Sequence, residues 1–345
     1  MFILLDMSFI IEGLLSWSRL LFIIAGLFVY QLTQAPALKP VAKGTDFSQY
    51  QDGKPFRMVV TNQEVPVVKI MIAGFLQACS DYNLKCQVMG VTGNDIAGSV
   101  QMTEQSISLG SSGILATVYD KAWYGPVGDA IKAGIPVVNA HFPMASDVIP
   151  GLSAWVAPDN TGYAVTAADA MANKLACAGK VAITQSGASD AESAVNAAFK
   201  AEMVKDCPNI TVLDTQMETT DPAQAILVTS AIIKANPDLS GAFSSTGGGA
   251  TAWSTSAKES GLAAGKIAII GMDFTQQNLD LLKSGDVYAL VAQPTFTEME
   301  DGVVLLLEIR MGYQIPYANV LAAPLIFKND TAPYYDILKK AEAVK

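Results

Sequence analysis

Residues 269–295, IIGMDFTQQNLDLLKSGDVYALVAQPT, hold a complete strand–helix–strand pattern that decides the fold. Two apolar runs, IAIIG (267–271) and VYALVA (287–292), flank a segment with helical apolar spacing. Short apolar runs joined by a helix predict parallel strands that are buried on both faces. Asp273 follows the first run and Gln293 follows the second, at strand exits where ligands bind open parallel sheets.

The same alternation continues through most of the chain. Further strands are predicted at 56–61, 86–91, 113–118, 135–140, 180–185, 210–216 and 241–245. Helical spacing is found at 66–82, 94–109, 160–178, 190–206, 221–236 and 275–284. Nine strands alternating with helices are more natural in two sheets than in one. We predict an α/β protein with two doubly wound parallel-sheet lobes.

Composition limits the class of protein and of partner. The chain has 345 residues, 51% of them apolar, enough for about two domains of ~150 residues each. Its net charge is −10, and it has no basic patch, so nucleic acid is not expected as a partner.

The N-terminus differs from the rest of the chain. Residues 19–37 contain an arginine, an apolar stretch and small residues in an A-x-A pattern, which is the layout of a secretory signal. The alternative is an uncleaved membrane anchor over 8–30. Residues 1–37 are therefore predicted to be a signal peptide or anchor, with a polar linker at 38–54, and both alternatives export the remainder.

Four cysteines follow the export segment, namely Cys79, Cys86, Cys177 and Cys207. Four cysteines allow three pairings that sequence cannot separate, although proximity favours 79 with 86 and 177 with 207; four free thiols are the alternative. Their spacing fits no metal motif and the chain has one histidine, so no metal site is expected.

Candidate binding residues are those that follow each predicted strand. They are Asn62, Gln63, Glu64, Tyr119, Asp120, Trp123, His141, Phe142, Gln185, Ser186, Ser189, Ser245, Thr246, Asp273, Phe274 and Gln293. The set is rich in neutral hydrogen-bonding groups and aromatics and contains neither lysine nor arginine. It favours a small, polar ligand that is uncharged or cationic over an anion.

Structural roles compete with ligand roles at several of these positions. Asp273 could cap the helix that follows it, Gln293 could be an ordinary strand end, and a lone histidine such as His141 is commonly a structural hydrogen-bonding residue. The run STGGGATAW (245–253) lacks the G-K-[ST] of a phosphate loop and is expected to start a helix or admit close backbone approach. No nucleophile elbow or spaced carboxylate pair indicates an enzyme.

Several motifs, taken in order, resemble type I periplasmic binding proteins of ABC importers, the ribose and sugar-binding kind. The matching segments are GFLQACSDYNLKCQVMG, AIKAGIPVVNA, APDN (157–160), ANPDLSGAFSST and IIGMDFT followed by LKSGDVYALVAQPTFTEMEDGV. They extend over about residues 55–328.

The resemblance implies two lobes joined by three crossings near 157–160, 292–295 and 322–326. The first lobe would be 55–158 with 294–324, and the second 159–293 with 325–345, closing on a ligand by a hinge motion.

The resemblance also implies roles and partners. Asp273 and Gln293 would bind sugar hydroxyls, and Asp159 would lie at a crossing beside the site. The implied protein is a periplasmic monomer that needs no cofactor and delivers a sugar or polyol to an ABC permease. The alternative is a membrane-anchored sensor that reports the same ligand to a partner protein.

Departures from the family pattern limit what the resemblance implies. Val67 and Val68 replace the aromatics that stack on the sugar, and His141 and Phe142 replace an Asp-Arg pair. The arginine expected early in the 190–206 helix is missing too. Stacking is therefore expected from Tyr119, Trp123, Phe142 or Phe274, and the implied ligand is only a class of small polyhydroxylated solute.

Overall fold

The computed structural model describes residues 43–93, 95–187 and 190–343. Residues from Asp46 onward form one compact unit. The predicted signal peptide or anchor lies outside the described residues, and with it the segment on which the sensor alternative depends. Within the described part of the chain, no helix combines the length and apolarity needed to cross a bilayer.

A six-stranded parallel sheet organises the first lobe. Its strands are β1 (Phe56–Val60), β2 (Cys86–Gly90), β3 (Gly113–Ala116), β4 (Val137–Ala140), β5 (Ala154–Pro158) and β12 (Ala318–Leu321). Their order is β2-β1-β3-β4-β5-β12, so the chain winds outward in both directions from β1 and β3. Every residue of β1, β3 and β4 is buried, as expected for strands that are covered by helices on both faces.

The second lobe repeats this order in a seven-stranded sheet. Its strands are β6 (Lys180–Gln185), β7 (Thr211–Val212), β8 (Gln216–Met217), β9 (Leu239–Ser244), β10 (Ala268–Met272), β11 (Ala289–Val291) and β13 (Leu325–Ile326). The order is β7-β6-β9-β10-β11-β13, with β8 also paired to β6. Only the pairing of β13 with β11 is antiparallel among these described strands.

Ten helices of the described residues cover the two sheets. They are α1 (Pro66–Asp81), α2 (Ile96–Ser108), α3 (Tyr124–Lys132), α4 (Asn160–Leu175), α5 (Asp190–Asp206), α6 (Pro222–Ala235), α7 (Gly249–Glu259), α8 (Gln276–Ser284), α9 (Thr295–Arg310) and α10 (Ala332–Glu342). Local sequence sets several ends: Asp159, Asp221 and Thr275 cap the starts of α4, α6 and α8, and Gly285 ends α8 in the left-handed conformation.

Two helices tie distant parts of the chain together. Helix α9 packs on α1 and on β3, β4 and β5, and therefore belongs with the first sheet. Helix α10 bonds to the second lobe through Tyr335, whose hydroxyl donates to Asp280. Its apolar face, Leu338 and Ala341, shares a core cluster with Ile70 of α1. The C-terminal helix thus contacts both lobes.

The structure confirms the two-lobed α/β prediction and corrects one strand. Residues 210–216 form two short strands, because one extra residue interrupts the pairing with β6 between Thr211↔Lys180 and Gln216↔Thr184. Such a bulge shifts the register, so that the strand exit falls after Met217 rather than after Gln216.

The cysteine pairing favoured by proximity is confirmed. Cys79 is bonded to Cys86 in the first lobe, and Cys177 is bonded to Cys207 in the second. The predicted linker is shorter than expected, because Gln51 is buried and its side chain exchanges hydrogen bonds with the backbone of Lys85. Its last residues therefore pack on the first lobe.

Candidate ligand-binding cleft

The shared strand order places one cleft at the carboxyl ends of both sheets. In each sheet the winding reverses between two strands, β1 and β3 in the first and β6 and β9 in the second. Loops diverge at such a point and leave a crevice. A cavity of about 1320 Å³ lies there, lined by residues of both lobes.

Most of the predicted residues line this cleft. They are Asn62, Glu64, Tyr119, His141, Phe142, Ser186, Ser245, Thr246, Asp273 and Gln293. The structure therefore brings together residues separated by more than two hundred positions in the chain, and their ligand roles stay predictions.

The structure places six other candidates outside the cleft lining. They are Gln63, Asp120, Trp123, Asp159, Gln185 and Phe274. Ser189 lies outside the described residues. The reasons differ between the aromatic and the polar members.

Trp123 and Phe274 are core residues. Trp123 is 1% exposed and packs edge-on against Tyr119, with ring centroids 5.1 Å apart. Phe274 is buried against Tyr334 of α10, with ring centroids 4.9 Å apart. Neither ring is available to stack on a ligand, so the stacking expected of them is corrected to packing.

The four polar members bond within the protein. The side chain of Asp120 accepts a backbone hydrogen bond at the start of a single helical turn, Lys121–Trp123, and that of Asp159 does so at the start of α4. Gln185 is buried and accepts a hydrogen bond from Asn196 at 2.9 Å. The backbone N–H of Gln63 donates to Val91 at the edge of the sheet. The side chains of Asp120, Asp159 and Gln185 therefore form hydrogen bonds within the protein, whereas for Gln63 the contact involves the backbone alone.

The first lobe contributes an aromatic wall, formed by Tyr119, His141 and Phe142. The ring centroids of Tyr119 and Phe142 are 5.4 Å apart, and those of His141 and Phe142 are 4.9 Å apart. Asn139, fully buried in β4, accepts from Val118 N at 2.8 Å and donates to Phe142 O at 2.7 Å. This one side chain fixes the loops that carry both rings.

His141 is held in a specific backbone and side-chain arrangement. It takes the left-handed conformation, φ 74°, and its N–H donates to Val156 of β5 at 2.8 Å. Its Nδ1 lies 2.9 Å from Oε2 of Glu298, a fully buried carboxylate in the first turn of α9. Burial by itself would lower the pKa of His141, but Glu298 and, more weakly, Asp273 outweigh it, so the pKa is raised.

The second lobe contributes an acidic wall, formed by Glu192, Glu218 and Asp273. Oε1 of Glu218 accepts from the hydroxyls of Ser244, at 2.9 Å, and Thr246. Asp273 is left-handed, φ 66°, and its N–H donates to Val291 of β11. Burial raises the pKa of Asp273 to about 6; His141 lowers it and Glu298 raises it further.

Asn278 fixes the loops of the acidic wall. It is buried, and its Nδ2 donates to the carbonyl oxygens of Met272 at 2.9 Å, Gly247 at 3.1 Å and Asp273 at 3.2 Å. A Cβ at Gly247 would come within 2.6 Å of Oδ2 of Asp273. Close approach of this turn to the carboxylate therefore requires glycine.

Glu192 and Tyr163 complete the polar surface of the second lobe. Glu192 accepts from the backbone N–H and the hydroxyl of Ser186, both at 2.8 Å, yet burial and nearby Glu218 raise its pKa. Burial raises the pKa of Tyr163 as well, and the carboxylates of Asp273 and Glu192 add to the shift. Tyr163 therefore presents a neutral phenol, a hydrogen-bond donor, among carboxylates.

Sequence reasoning missed Glu192, Glu218 and the two fixing asparagines. Glu218 follows β8 directly and would have been found had the predicted strand ended at Met217. Glu192 lies inside the first turn of α5, beyond the strand-exit positions. The glycine-rich run starts α7 at Gly249, one of the two expectations stated for it.

Solved structures of sugar-binding proteins share the fold. One is a sugar-binding protein of a sugar ABC transporter from Bacillus halodurans, 22% identical, TM-score 0.75, over 81% of this chain and 100% of that chain. An arabinose binding protein from Geobacillus stearothermophilus is 21% identical, with a TM-score of 0.74 over 82% of this chain and 99% of that chain. An ABC transporter periplasmic solute binding protein from Actinobacillus succinogenes with bound D-allose is 21% identical, TM-score 0.75, over 81% and 100%.

The family follows from the sequence match. None of the curated proteins matches the chain significantly. The model of the periplasmic binding protein domain matches residues 56–314, a span that starts at β1 and contains both fixing asparagines and both walls. The match also confirms the resemblance drawn from the motifs. With two sheets of one winding order and a cleft between them, this chain belongs to the periplasmic binding protein family.

Proposed function

We propose that the protein is the extracytoplasmic solute-binding component of an ABC importer. It binds a small carbohydrate-like or polyol solute in the cleft and delivers it to a permease. The observation that carries this proposal is the cleft itself, lined from both lobes by aromatic rings and hydrogen-bonding groups. That lining suits a sugar, which presents an apolar C–H face and polar edges. Proteins of this fold that are described as sugar-binding lend further support.

The residues of the cleft take complementary roles in this proposal. Tyr119 and Phe142 cover the C–H face of the solute, while Asn62, Asp273 and Gln293 bind its hydroxyl groups. The two lobes close around the solute by a hinge motion. Binding residues on both lobes would make closure depend on the ligand, because only a bound solute bridges them.

The lobe boundaries belong to the same proposal. The first lobe takes 55–158 with 294–324, and the second takes 159–293 with 325–345. The membership of β5 and β12 in the first sheet and of β13 in the second supports crossings near these positions. The protein acts as a periplasmic monomer, catalyses no reaction, and has the transmembrane permease subunits as its protein partners.

A thermal-shift screen of the purified protein tests the proposal. Pentoses, hexoses, sugar alcohols, nucleosides and amino acids are added one at a time. A ligand at a hundred times its dissociation constant stabilises the folded state by about 2.7 kcal/mol, which raises Tm measurably. A raised Tm with at least one sugar or polyol is expected. A shift only with amino acids or nucleosides would contradict the carbohydrate class.

A further inference from the structure

The charges that line the cleft are unbalanced. Among the described residues, five acids line it, against one lysine and one histidine; the acids are Glu64, Glu192, Glu218, Asp273 and Glu342. Both cations already face a carboxylate: Lys69 lies 3.8 Å from Glu64, and His141 lies 2.9 Å from Glu298. Of the four lining acids that remain, three form the acidic wall, and the fourth, Glu342, lies at the end of α10.

Two carboxylates of the acidic wall have buried oxygens without a hydrogen bond. Glu218 is 0% exposed and Asp273 is 8% exposed. Oε2 of Glu218 and Oδ1 of Asp273 have no hydrogen-bond partner among the described residues. A buried carboxylate oxygen left in this way is costly, roughly 1–3 kcal/mol or more. Both residues line the cleft, and a ligand that enters it can supply the missing donors once the side chains covering these two oxygens move aside.

Both carboxylates contact the same turn, at residues 246 and 247. The hydroxyl of Thr246 donates to Glu218, and the neighbouring Gly247 lies against Oδ2 of Asp273. Neither carboxylate forms an ion pair with a lysine or arginine of the described chain. A single small group bound above this turn would therefore meet negative charge from both carboxylates.

A protonated amine satisfies this site better than a hydroxyl group does. A hydroxyl donates one hydrogen bond and leaves the charge in place, whereas an ammonium group offers three donors and cancels charge. Burial raises the pKa of Glu192 and of Asp273; nearby Glu218 adds to the shift of Glu192, whereas His141 opposes the shift of Asp273.

The aromatic wall favours the same ligand chemistry. Tyr119 is 39% exposed, and Phe142 is half-buried beside it at the cleft surface. Faces of aromatic rings attract cations as well as sugar C–H groups. Rings on one lobe and carboxylates on the other are thus complementary to a solute that carries both.

A bound metal ion is a poorer explanation. Among the described residues, the acidic cluster with ligand atoms within 4.8 Å of one another is Asp169, Glu202 and Asp206. That cluster lies outside the cleft lining, and Lys205 pairs with two of its members. Among the described residues, Glu218 and Asp273 belong to no such group of three ligands.

We propose that the solute bound in the cleft carries a protonated primary amine as well as hydroxyl groups, as an amino sugar or amino polyol does, and that Glu218 and Asp273 bind its ammonium group. This inference rests on the proposed function, since it specifies the solute of the same cleft.

Matched sets of ligands test the inference by calorimetry on the purified protein. Each set holds an amine, its neutral parent and its N-acetyl form: glucosamine, glucose and N-acetylglucosamine, with the same sets for galactose and mannose, and glucamine with sorbitol. At least one amine should bind about tenfold or more tightly than both neutral forms. Neutral parents that bind as tightly as their amines would overturn the inference and leave the proposed function standing. If no compound in any set binds, the inference falls, and the proposed function is decided by the wider thermal-shift screen.

Two isosteric variants identify the groups that bind the amine. Glu218→Gln keeps an oxygen for Ser244 and Thr246, and Asp273→Asn keeps the size of its side chain. Each should reduce the ratio of amine affinity to neutral-sugar affinity by about tenfold. Glu259→Gln, an exposed change at the end of α7, is the matched control and should keep the preference. If both cleft variants still preferred the amine as strongly as the native protein does, neither carboxylate would belong to the amine-binding site.

A measurement without ligand covers the case in which a variant folds poorly. Because Glu218→Gln removes an unneutralised buried charge and keeps its hydrogen bonds, the ligand-free variant should have a higher Tm than the native protein. A lower Tm for both Glu218→Gln and Asp273→Asn would show that the native protein already satisfies these carboxylates, and would overturn the inference.

Discussion

The two walls of the cleft use the same backbone and different side chains. Strand β4 of the first lobe corresponds to β10 of the second in the common winding order. His141 follows β4 and Asp273 follows β10, and both residues have the left-handed backbone conformation. The N–H of His141 donates to Val156 of β5, and the N–H of Asp273 donates to Val291 of β11. The scaffold is thus repeated, while one position carries an imidazole and the other a carboxylate.

The supporting asparagines extend the comparison. Asn139 fixes the loops of the aromatic wall, and Asn278 fixes those of the acidic wall. In each lobe, the side-chain amide of one buried asparagine bonds to backbone groups of at least two loops. Function in this protein therefore depends on the side chains presented, and the backbone that presents them is common to both lobes.

The largest expected effect comes from removing the disulfides, and it tests whether the scaffold and the binding site are independent. Cys177–Cys207 closes a sequence separation of 30 residues and Cys79–Cys86 one of 7. Replacing both cysteines of a pair by alanine should lower the free energy of unfolding by about 3.5 and about 2.5 kcal/mol respectively, because the unfolded chain gains more freedom from the longer loop. Urea unfolding measures both. Ligand affinity should not change, and a loss of affinity would show that the scaffold and the walls are not independent.

The next effect is the pH dependence of stability. Asp273 and His141, which occupy corresponding positions in the two lobes, contribute to it in different pH ranges. The pKa of Asp273 is about 6 in the folded protein, compared with 3.8 for an ordinary aspartate. The folded state therefore binds the extra proton, and stability present below pH 3.8 is lost as pH rises through about 6. The loss is about 3 kcal/mol. The raised pKa of His141 acts with the same sign at higher pH, above 6.5.

Urea unfolding between pH 4 and pH 8 measures these two contributions. Subtracting the Asp273→Asn profile isolates the lower window, and subtracting His141→Asn isolates the upper one. Profiles that run parallel to that of the native protein would show that neither residue titrates differently in the folded state.

A smaller effect is expected from the two asparagines. Asn139→Ala and Asn278→Ala should each lower the free energy of unfolding by about 2 kcal/mol, because buried backbone groups lose their partners. Asn209→Ala, an exposed substitution, should stay within about 0.5 kcal/mol of the native value. Denaturant titration of all three gives the comparison. A large difference between Asn139→Ala and Asn278→Ala would mean that the lobes do not fix their walls equally.

The smallest effect concerns the aromatic wall alone. Tyr119→Leu should weaken binding of the solute found in the screen by about 1 kcal/mol, since a leucine keeps apolar area but loses the ring face. Tyr313→Leu, exposed and outside the cleft lining, is the control and should bind normally. Calorimetry on both variants is sufficient. Normal binding by Tyr119→Leu would leave recognition to the acidic wall.

The sequence predicted the fold well because its signals are local. A run such as VYALVA (287–292) is apolar on both faces and lies between the polar residues Asp286 and Gln293, and buried parallel strands need that pattern. The position of the cleft followed from topology, since residues after strands meet at one edge. Asp273, His141 and Tyr119 were found in this way.

The remaining parts of the site depend on long-range packing. Trp123 and Phe274 also follow strands, yet their rings turn into the core, and a strand exit does not specify which way a side chain turns. Glu218 was missed because one bulge moves the strand end, and bulges have no clear signal in a polar run such as LDTQ (213–216). Glu192 reaches the cleft from within a helix, where its partner Ser186 is visible only in three dimensions.

The left-handed backbone at the cleft restricts how its specificity can evolve. Asn62, His141 and Asp273 have φ of 49°, 74° and 66°. Residues branched at Cβ fit this conformation badly, whereas glycine, asparagine, aspartate and histidine tolerate it. A saturation library at these positions should therefore yield only these few residue types, whatever solute is used for selection. New ligand preferences in this cleft would have to arise at the neighbouring positions, where the backbone admits any side chain.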